Sequence, residues 1–389
     1  MRIFKDFPIR ELVFILTEEC NLNCVYCYEK NKTKKRLSAD TIKGKISAAM
    51  LAQDNYQKLS VLFFGGEPLL EFETICEVVE WFLATDWPSP RRQLHFNVST
   101  NGTLLNDSIK QWFRANRTRV TLCLSMDGTK MAQDLNRSNS YDKVAEHIDF
   151  FRDNWPEQPV KMTIGPKTLG QVYEGVTHIH SLGLAAEPDI VFEDVWGDEP
   201  SQKRALRTWT DQLSKLVEFY SKNQQLRRPR LFRRLQHLFD GEQGDRYTFC
   251  GAGKHTITVA ADGSEFPCFR FAPVSVQRPL EDVFRGTNQE NENCVACPFE
   301  KICPTCEGHN FCITGSSFCR TTYHCRFFQI SLLASARLLL RDHHGDPNLP
   351  PELESHEERL QRTRRLVAYK LVNDFCSPVI DWASAGNTE

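Results

Sequence analysis

The first half of the chain alternates short apolar runs with longer amphipathic stretches. ELVFILTEE (11–19) reads as a buried strand. Residues 38–55 then have helical spacing, with Ile42, Ile46 and Ala49 on one face. LSVLFFGG (59–66) is a second strand, followed by a helix through ETICEVVEWFLA. QLHFNVSTNG (93–102) and VTLCLSMDG (120–128) are a third and a fourth, followed by helices near 105–116 and 141–153. VKMTIGP (160–166) is a fifth, followed by a helix near 171–182, and DIVFEDV (189–195) is a sixth. Strands alternating with helices predict a parallel α/β sheet, and six such repeats predict a partial (β/α)6 TIM-like barrel. In such folds the loops after the strands carry the chemistry. Here those loops hold three cysteines, then GGEP, STNG and SMDG, all on one rim.

The pattern changes after residue 199. Residues 200–240 look helical and include LRRPRLFRRLQHLF, with Arg227, Arg228, Arg230, Arg233 and Arg234. Those arginines read either as a solvated helix face or as a basic surface for an acidic peptide. From 246 to 330, cysteines crowd together with Gly, Pro and aromatic residues, as in a small domain held by metal. Helices are expected at 328–341 and about 356–374, and the last dozen residues are expected to fray. The expected organisation is a partial barrel (1–199), a helical linker (200–245), a small cysteine-rich, metal-held domain (246–330) and C-terminal helices (331–389).

Composition narrows the classes. The chain has 389 residues, 41% of them hydrophobic, and a formal charge of −2, so nothing global draws it to nucleic acid or an anionic membrane. No signal peptide and no apolar stretch of about 20 residues is evident, which predicts a cytoplasmic protein. Fifteen cysteines are many for that compartment, where disulfides are rare. Three lie at 20–27, nine between Cys250 and Cys325, and only Cys76, Cys123 and Cys376 stand alone, the last three read as inert thiols. The clustered ones read as metal ligands.

Cys20, Cys24 and Cys27 form C-x3-C-x2-C. Three thiolates suit a four-iron cluster that keeps one iron open, since thiolates are the usual ligands of such clusters. The alternatives are chance or part of a zinc site, which needs four ligands. The spacing, with Tyr26 before the last cysteine, resembles the signature of the radical S-adenosylmethionine (SAM) enzymes. Gly65, Gly66, Glu67 and Pro68 resemble that family's GGEP element. The resemblance implies that the open iron binds SAM, and that a 5′-deoxyadenosyl radical abstracts hydrogen from an unactivated C–H bond. It implies that Glu67 accepts from the SAM ammonium group, and that Ser99, Asn101 and Ser125 lie near the SAM carboxylate or ribose. For these three, a polar cap at a strand end is the competing reading.

Cys250 and Cys268 bracket Gly263 as C-x12-G-x4-C, and Cys294, Cys297, Cys303 and Cys306 form C-x2-C-x5-C-x2-C. This resembles the SPASM extension of a subset of radical SAM enzymes, which holds two auxiliary four-iron clusters. The last interval departs from the family's pattern, which has three residues there. The resemblance implies Cys250, Cys268 and Cys306 on an inner cluster, completed by Cys312 or open to substrate. It implies Cys294, Cys297, Cys303 and Cys325 on an outer one, with Cys319 a rival to Cys325. A pair of zinc sites is the competing reading, though zinc ribbons usually separate their CxxC pairs by some 15 to 20 residues. Asp262, in an ADG turn nearby, reads as a turn former. The resemblance thus implies SAM and three [4Fe-4S] clusters as cofactors.

FFGGEPLLEF, CPTCEGHNF and LSMDGTKMAQDLNR look more like the peptide maturases of this family than the sulfatase maturases. The expected activity is hydrogen abstraction from a ribosomally made precursor peptide to install a thioether or carbon–carbon crosslink. The alternatives are formylglycine formation in a sulfatase or oxidation of a small molecule. Expected partners are the precursor peptide and a flavodoxin or ferredoxin; only some ten residues precede the first strand, so the leader is expected to be read by the body, the arginine-rich linker, an exposed strand edge or a separate leader-binding protein. No general base stands out.

Overall fold

The computed structural model describes residues 10–52, 58–87, 93–235, 251–253, 255–276, 278, 294, 296–321, 324–341 and 356–385. Strands β1 (Glu11–Thr17), β2 (Lys58–Gly65), β3 (Gln93–Thr100) and β4 (Val120–Leu124) pair in chain order, all parallel. β5 (Val160–Ile164) and β6 (Ala186–Ile190) form a second parallel pair. A bridge from Ser125 to Lys161, with Met126 N donating to Lys161 O at 2.9 Å, ties β4 to β5. The expected α/β partial-barrel class is what the chain adopts.

Alternation builds the sheet. Val61, Phe63, Phe96, Val98, Leu122 and Leu124 are buried on one face with Phe14 and Leu16. Their neighbours Ser60, Leu62, Phe64, His95, Asn97, Ser99, Thr121, Cys123 and Ser125 are half-buried on the other. The buried face packs under helices α1 (Ala39–Met50), α2 (Phe72–Ala84) and α3 (Asp107–Asn116) through residues such as Ile46, Val79 and Phe113. The half-buried face is mostly polar: His95 Nε2 and Thr121 Oγ1 are 2.8 Å apart, and Asn97 Nδ2 donates to Ser60 Oγ at 3.1 Å.

Several expectations need correction. The sixth strand lies three residues upstream of 189–195. It contains Pro188 and, among the described residues, pairs only with β5, so the missing N–H interrupts no ladder there. The helix expected at 141–153 is broken into α5 (Tyr141–Ala145) and α6 (Ile148–Asn154), and a further helix, α4 (Lys130–Asn136), precedes them. The strand β7 (Thr256–Val259), from the cysteine-rich segment, adds in parallel to the free edge of β1, and β8 (Glu265–Phe266) folds back on it.

Beyond the sheet, α7 (Val172–Ser181) is followed by α8 (Glu199–Lys222), whose N-cap is Asp198, accepting from Ser201 N at 3.0 Å. Short α9 (Arg230–Arg233) comes next. The arginines of this stretch are exposed in part and also paired: Arg230 pairs with Glu187 and Asp189, Arg233 lies 3.8 Å from Glu187, and Arg227, ahead of the helix, donates to Glu157 O. Later come α10 (Glu307–Thr314), α11 (Cys325–Arg341) and α12 (His356–Ser384). Trp209 Nε1 donates to Phe327 O at 3.2 Å, and Arg207 Nη1 to Ala383 O at 2.5 Å. Of the last dozen residues, expected to fray, 386–389 lie outside the described residues; before them the helix continues to Ser384, with Cys376, Val379 and Ala383 buried. Among the described residues no helix is long and apolar enough to cross a membrane.

Candidate active site

The loop after β1 lies against the end of β2. Gly66 N donates to Thr17 O and Glu67 N to Glu19 O, both at 2.9 Å. A Cβ on Gly65, at φ 126°, would stand 2.3 Å from Thr17 O, and one on Gly66 2.1 Å from Glu19 O. The two glycines thus let the cysteine loop reach the second strand. Within the loop, Leu22 N donates to Cys20 Sγ at 3.4 Å and Cys27 N to Cys24 O at 3.1 Å. Val25 N donates to Asn136 O, and Asn23 N to Ser138 Oγ, so the loop is anchored on the far side as well.

The three thiols are half-buried. Burial pushes Cys20 up to about 11, against the Leu22 amide and Lys32, which pull it down. Burial also raises Cys24, opposed first by Arg137. At Lys32, burial opposes the charge, but Cys27, Cys20, Glu29 and Cys24 outweigh it and the ammonium is held above its ordinary value. Glu29 Oε1 is buried and has no hydrogen-bond partner among the described residues.

Glu67 is 1% exposed. Its Oε1 accepts from Leu69 N at 3.0 Å and Thr100 Oγ1 at 2.7 Å, and its Oε2 from Asn101 N at 2.8 Å. It caps the helical turn Pro68–Glu71 and ties it to β3. One acceptor position of its four is left. Burial pushes its carboxyl up to about 7, against these donors. Asn101 Nδ2 donates to Asn21 Oδ1 at 2.9 Å, joining the third loop to the cysteine loop. Asn21 Nδ2 in turn reaches Thr103 Oγ1 at 2.8 Å. Ser99 and Ser125 sit on the half-buried polar face at the ends of β3 and β4.

Tyr26, singled out beside the last cysteine, is spoken for by a residue that sequence reasoning missed. Its hydroxyl donates to Asp127 Oδ2 at 2.5 Å. Asp127, from SMDG, also accepts from Asn136 Nδ2 and Thr163 N at 3.0 Å, and Arg137 Nε lies 3.1 Å from its Oδ1. The Arg137 guanidinium stands 5.4 Å from the centre of the Tyr26 ring. Burial works against the Arg137 charge, but Asp127, Tyr26 and Cys24 outweigh it and keep it protonated. SMDG was visible as a loop motif, whereas nothing local in the sequence marks Arg137 as its partner.

A second group of thiols surrounds one cavity, lined by Cys294, Cys297, Cys303, Cys306 and Cys325 together with Phe192, Arg320, His324 and Phe328. Burial pushes Cys325 up to about 12, and the neighbouring Cys303, Cys297 and Cys294 add to it. Burial raises Cys303 to about 11, opposed by Arg320. Cys376, isolated in sequence, is fully buried beside Cys297 and Cys325 and is pushed up to about 12 by burial first. Cys319 lies within the field of Cys294 but not on the cavity wall. Cys312 is exposed on α10 and does not line the cavity. Cys268 neighbours Tyr28, and Cys250 lies outside the described residues. Asp262 Oδ1 accepts from Ser264 N at 3.0 Å, as a turn former does. Among the described residues, no three His, Cys, Asp or Glu side chains are grouped to hold a single metal ion.

An aromatic layer joins the two thiol groups. Phe269 stacks on Phe64 at 4.6 Å and on Tyr28 at 6.0 Å. The Arg270 guanidinium covers Tyr28 at 4.0 Å and pairs with Glu193 at 2.5 Å, beyond which Phe192 stacks on His324 at 4.8 Å. Burial lowers His324 to about 4, so it is neutral.

Residues 14–173 match the model of the family described as the Radical SAM superfamily. The antilisterial bacteriocin subtilosin biosynthesis protein AlbA of Bacillus subtilis is 21% identical over 325 residues, 77% of this chain and 68% of that protein. A cysteine-type anaerobic sulfatase-maturating enzyme of Clostridium perfringens is 26% identical over 161 residues, 37% of this chain and 41% of that enzyme. Two further curated relatives align over 40% and 35% of their own length. In fold, the chain is similar to the structure of native anSMEcpe with bound AdoMet and Cp18Cys peptide. The TM-score is 0.62 at 20% identity, covering 85% of this chain and 98% of the other.

Proposed function

We propose, from the premise that this chain carries a radical SAM domain over residues 14–173, that it is a radical SAM maturase acting on a peptide. The reaction read for it is hydrogen abstraction that installs a thioether or a carbon–carbon crosslink. The observation that carries the reading is the meeting of two loops: the cysteine loop is hydrogen-bonded through Thr17 and Glu19 to Gly66 and Glu67. The residues fit the implied group, because three thiols, a cation and the orphaned Oε1 of Glu29 gather there.

In this reading Cys20, Cys24 and Cys27 hold a four-iron cluster with one iron open to SAM. Together these supply a one-electron cleavage that yields an oxidant strong enough for an unactivated C–H bond. Lys32 and Arg137 favour the thiolate forms. Glu67 and Asn101 hold the second and third loops to the first. The Tyr26–Asp127–Arg137 group fixes the loop to the ends of β4 and β5. Tyr28, Phe64 and Phe269 wall the space toward the second thiol group and keep water from it. Cys294, Cys297, Cys303 and Cys325 hold one auxiliary cluster, supported by their places on one cavity wall. Cys306, Cys268 and Cys250 contribute to another.

A peptide substrate is supported by the peptide bound in the structural neighbour and by the likeness to AlbA. A second reading, formylglycine formation in a sulfatase, is favoured by the likeness to the sulfatase-maturating enzyme. The free thiols suit a reducing compartment, so the reaction is set in the cytoplasm, with a flavodoxin or ferredoxin as electron donor.

The test is 5′-deoxyadenosine formation by anaerobically reconstituted protein with SAM and dithionite, quantified by mass spectrometry. Release that stops in Cys24→Ala is expected. No release from protein with full iron and sulfide, with or without candidate peptides, would overturn the proposal. Product masses from a precursor peptide and from a sulfatase peptide separate the two readings.

A further inference from the structure

Apolar side chains left in water are informative when they cluster. Three do so where the cysteine loop meets α4. Val25, between Cys24 and Tyr26, is 54% exposed, and Met131 and Leu135 on α4 are 61% and 43% exposed. Met131 and Leu135 stand four residues apart and so share one face of that helix. Val25 N donates to Asn136 O at 3.0 Å and Asn23 N to Ser138 Oγ at 2.9 Å, which holds the loop against the helix end. The patch is therefore continuous with the loop that carries Cys20, Cys24 and Cys27.

Charge lies on the other side of the loop. The sequence that follows it, KNKTKKR (30–36), has five cations in seven residues and no carboxylate. The segment runs back beside the loop: Glu18 N donates to Lys35 O at 3.2 Å, and Arg36 bridges to Thr17. Lys35 pairs with Asp262, and Arg36 with Glu19 and Glu71. Lys32 lies in the field of all three thiols. Lys30 and Lys34 are exposed. On the α4 side, the carboxylates of Asp134 and Asp142 both meet Lys130, so they do not make that side acidic. The cysteine loop is thus flanked by an apolar patch and by lysines, the arrangement of a docking face with a dry centre and a steering rim.

We propose that this face docks an acidic flavodoxin, which reduces the cluster held by Cys20, Cys24 and Cys27. This rests on the reading that the loop carries an iron–sulfur cluster. A one-electron donor must bring its redox group close to the cluster, and Val25 adjoins a cluster ligand in the chain. A flavin presents an apolar dimethylbenzene edge, which suits the patch of Val25, Met131 and Leu135. Lys30 and Lys34 attract the acidic surface around it. In the transfer, the anionic flavin hydroquinone loses one electron and keeps its proton, and the cluster gains that electron. An acidic leader peptide would also meet the lysines, but it has no need of a patch on the cluster loop.

The test uses the full-length protein, reconstituted without oxygen, and a bacterial flavodoxin carrying FMN. Surface plasmon resonance measures its Kd for wild type, Met131→Asp/Leu135→Asp and Lys30→Glu/Lys34→Glu, each with iron and sulfide assayed. Each double variant should bind about tenfold or more weakly. The lysine variant should also lose the dependence on salt that wild type shows. 5′-Deoxyadenosine release driven by NADPH, flavodoxin reductase and flavodoxin should fall in both, whereas release driven by dithionite should not change. Wild-type affinity in either variant would overturn the proposal, as would wild-type protein that turns over with dithionite but binds no flavodoxin. An oligoglutamate peptide that binds wild type and is lost from both variants, with flavodoxin binding intact, would assign the face to a leader peptide and overturn it as well. Absence of dithionite-driven release from protein with full iron and sulfide would overturn the functional reading beneath it. The binding assay needs no turnover and tells the two failures apart.

Discussion

The Tyr26 hydroxyl donates to the Asp127 carboxylate at 2.5 Å, joining the cysteine loop after β1 to the loop after β4. Asp127 is 1% exposed, and the buried Arg137 shares it. A buried ion pair is vulnerable when one partner goes, because the other is left charged without water. Asp127→Ala should therefore cost about 3–5 kcal/mol. Tyr26→Phe, which removes one hydrogen bond to a charged group, should cost about 1.5–3 kcal/mol. The double variant Asp127→Ala/Arg137→Met should recover part of the loss. Chemical denaturation of the four proteins checks the order, and equal costs for the two single variants would refute it.

Gly66 and Gly44 should respond to alanine in opposite ways. A Cβ at Gly66 meets Glu19 O at 2.1 Å, so Gly66→Ala must push the cysteine loop away. Iron should fall while the thiols around the second cavity keep theirs, as read by iron assay and EPR. Gly44 sits exposed in α1 with nothing within 4 Å of its Cβ position. Gly44→Ala should stabilise by about 0.5–1 kcal/mol, the helix-interior penalty of glycine, with iron unchanged.

Asp189 is held down to about 2: burial alone would raise its carboxyl, but Lys161 and Arg230 outweigh it. A folded-state pKa below the ordinary 3.8 contributes stability above pH 3.8 that is lost as pH falls through 2. Its depression corresponds to about 2 kcal/mol at neutral pH. Asp189→Asn should show a deficit of that order at pH 7, narrowing between about pH 4 and pH 2. Unfolding followed by circular dichroism across that range measures it, and a deficit independent of pH would rule out the ion pairs as its source.

Trp382, near the C-terminus, lies under two cations, Arg326 at 3.5 Å and Lys203 at 4.9 Å. Trp382→Ala should cost about 2 kcal/mol through the lost cation–π contacts and packing. A stop after residue 374 should cost more, because it also removes the buried Cys376, Val379 and Ala383. Thermal melting compares the two, and a truncated chain melting with the full one would refute the packing argument.

What the sequence by itself determined is what local pattern can carry. Five of the six barrel strands were read within a few residues of their ends, because burial alternates with a period of two along β2–β5 and runs unbroken along the apolar β1. The cysteine spacing and GGEP stood out for the same reason: each chemistry-bearing group sits on one short loop. Tertiary structure decided the rest. Pro188 could enter β6 because, among the described residues, that strand pairs on one side. Arg230, half-exposed, found ion-pair partners because β6 presents Glu187 and Asp189 to it. Asp127 and Arg137, Cys376 beside Cys297, and His324 on the cavity wall are each brought together from separate elements. Such pairings depend on how elements pack, and a local pattern carries no record of which distant residue will fill a buried partner's place.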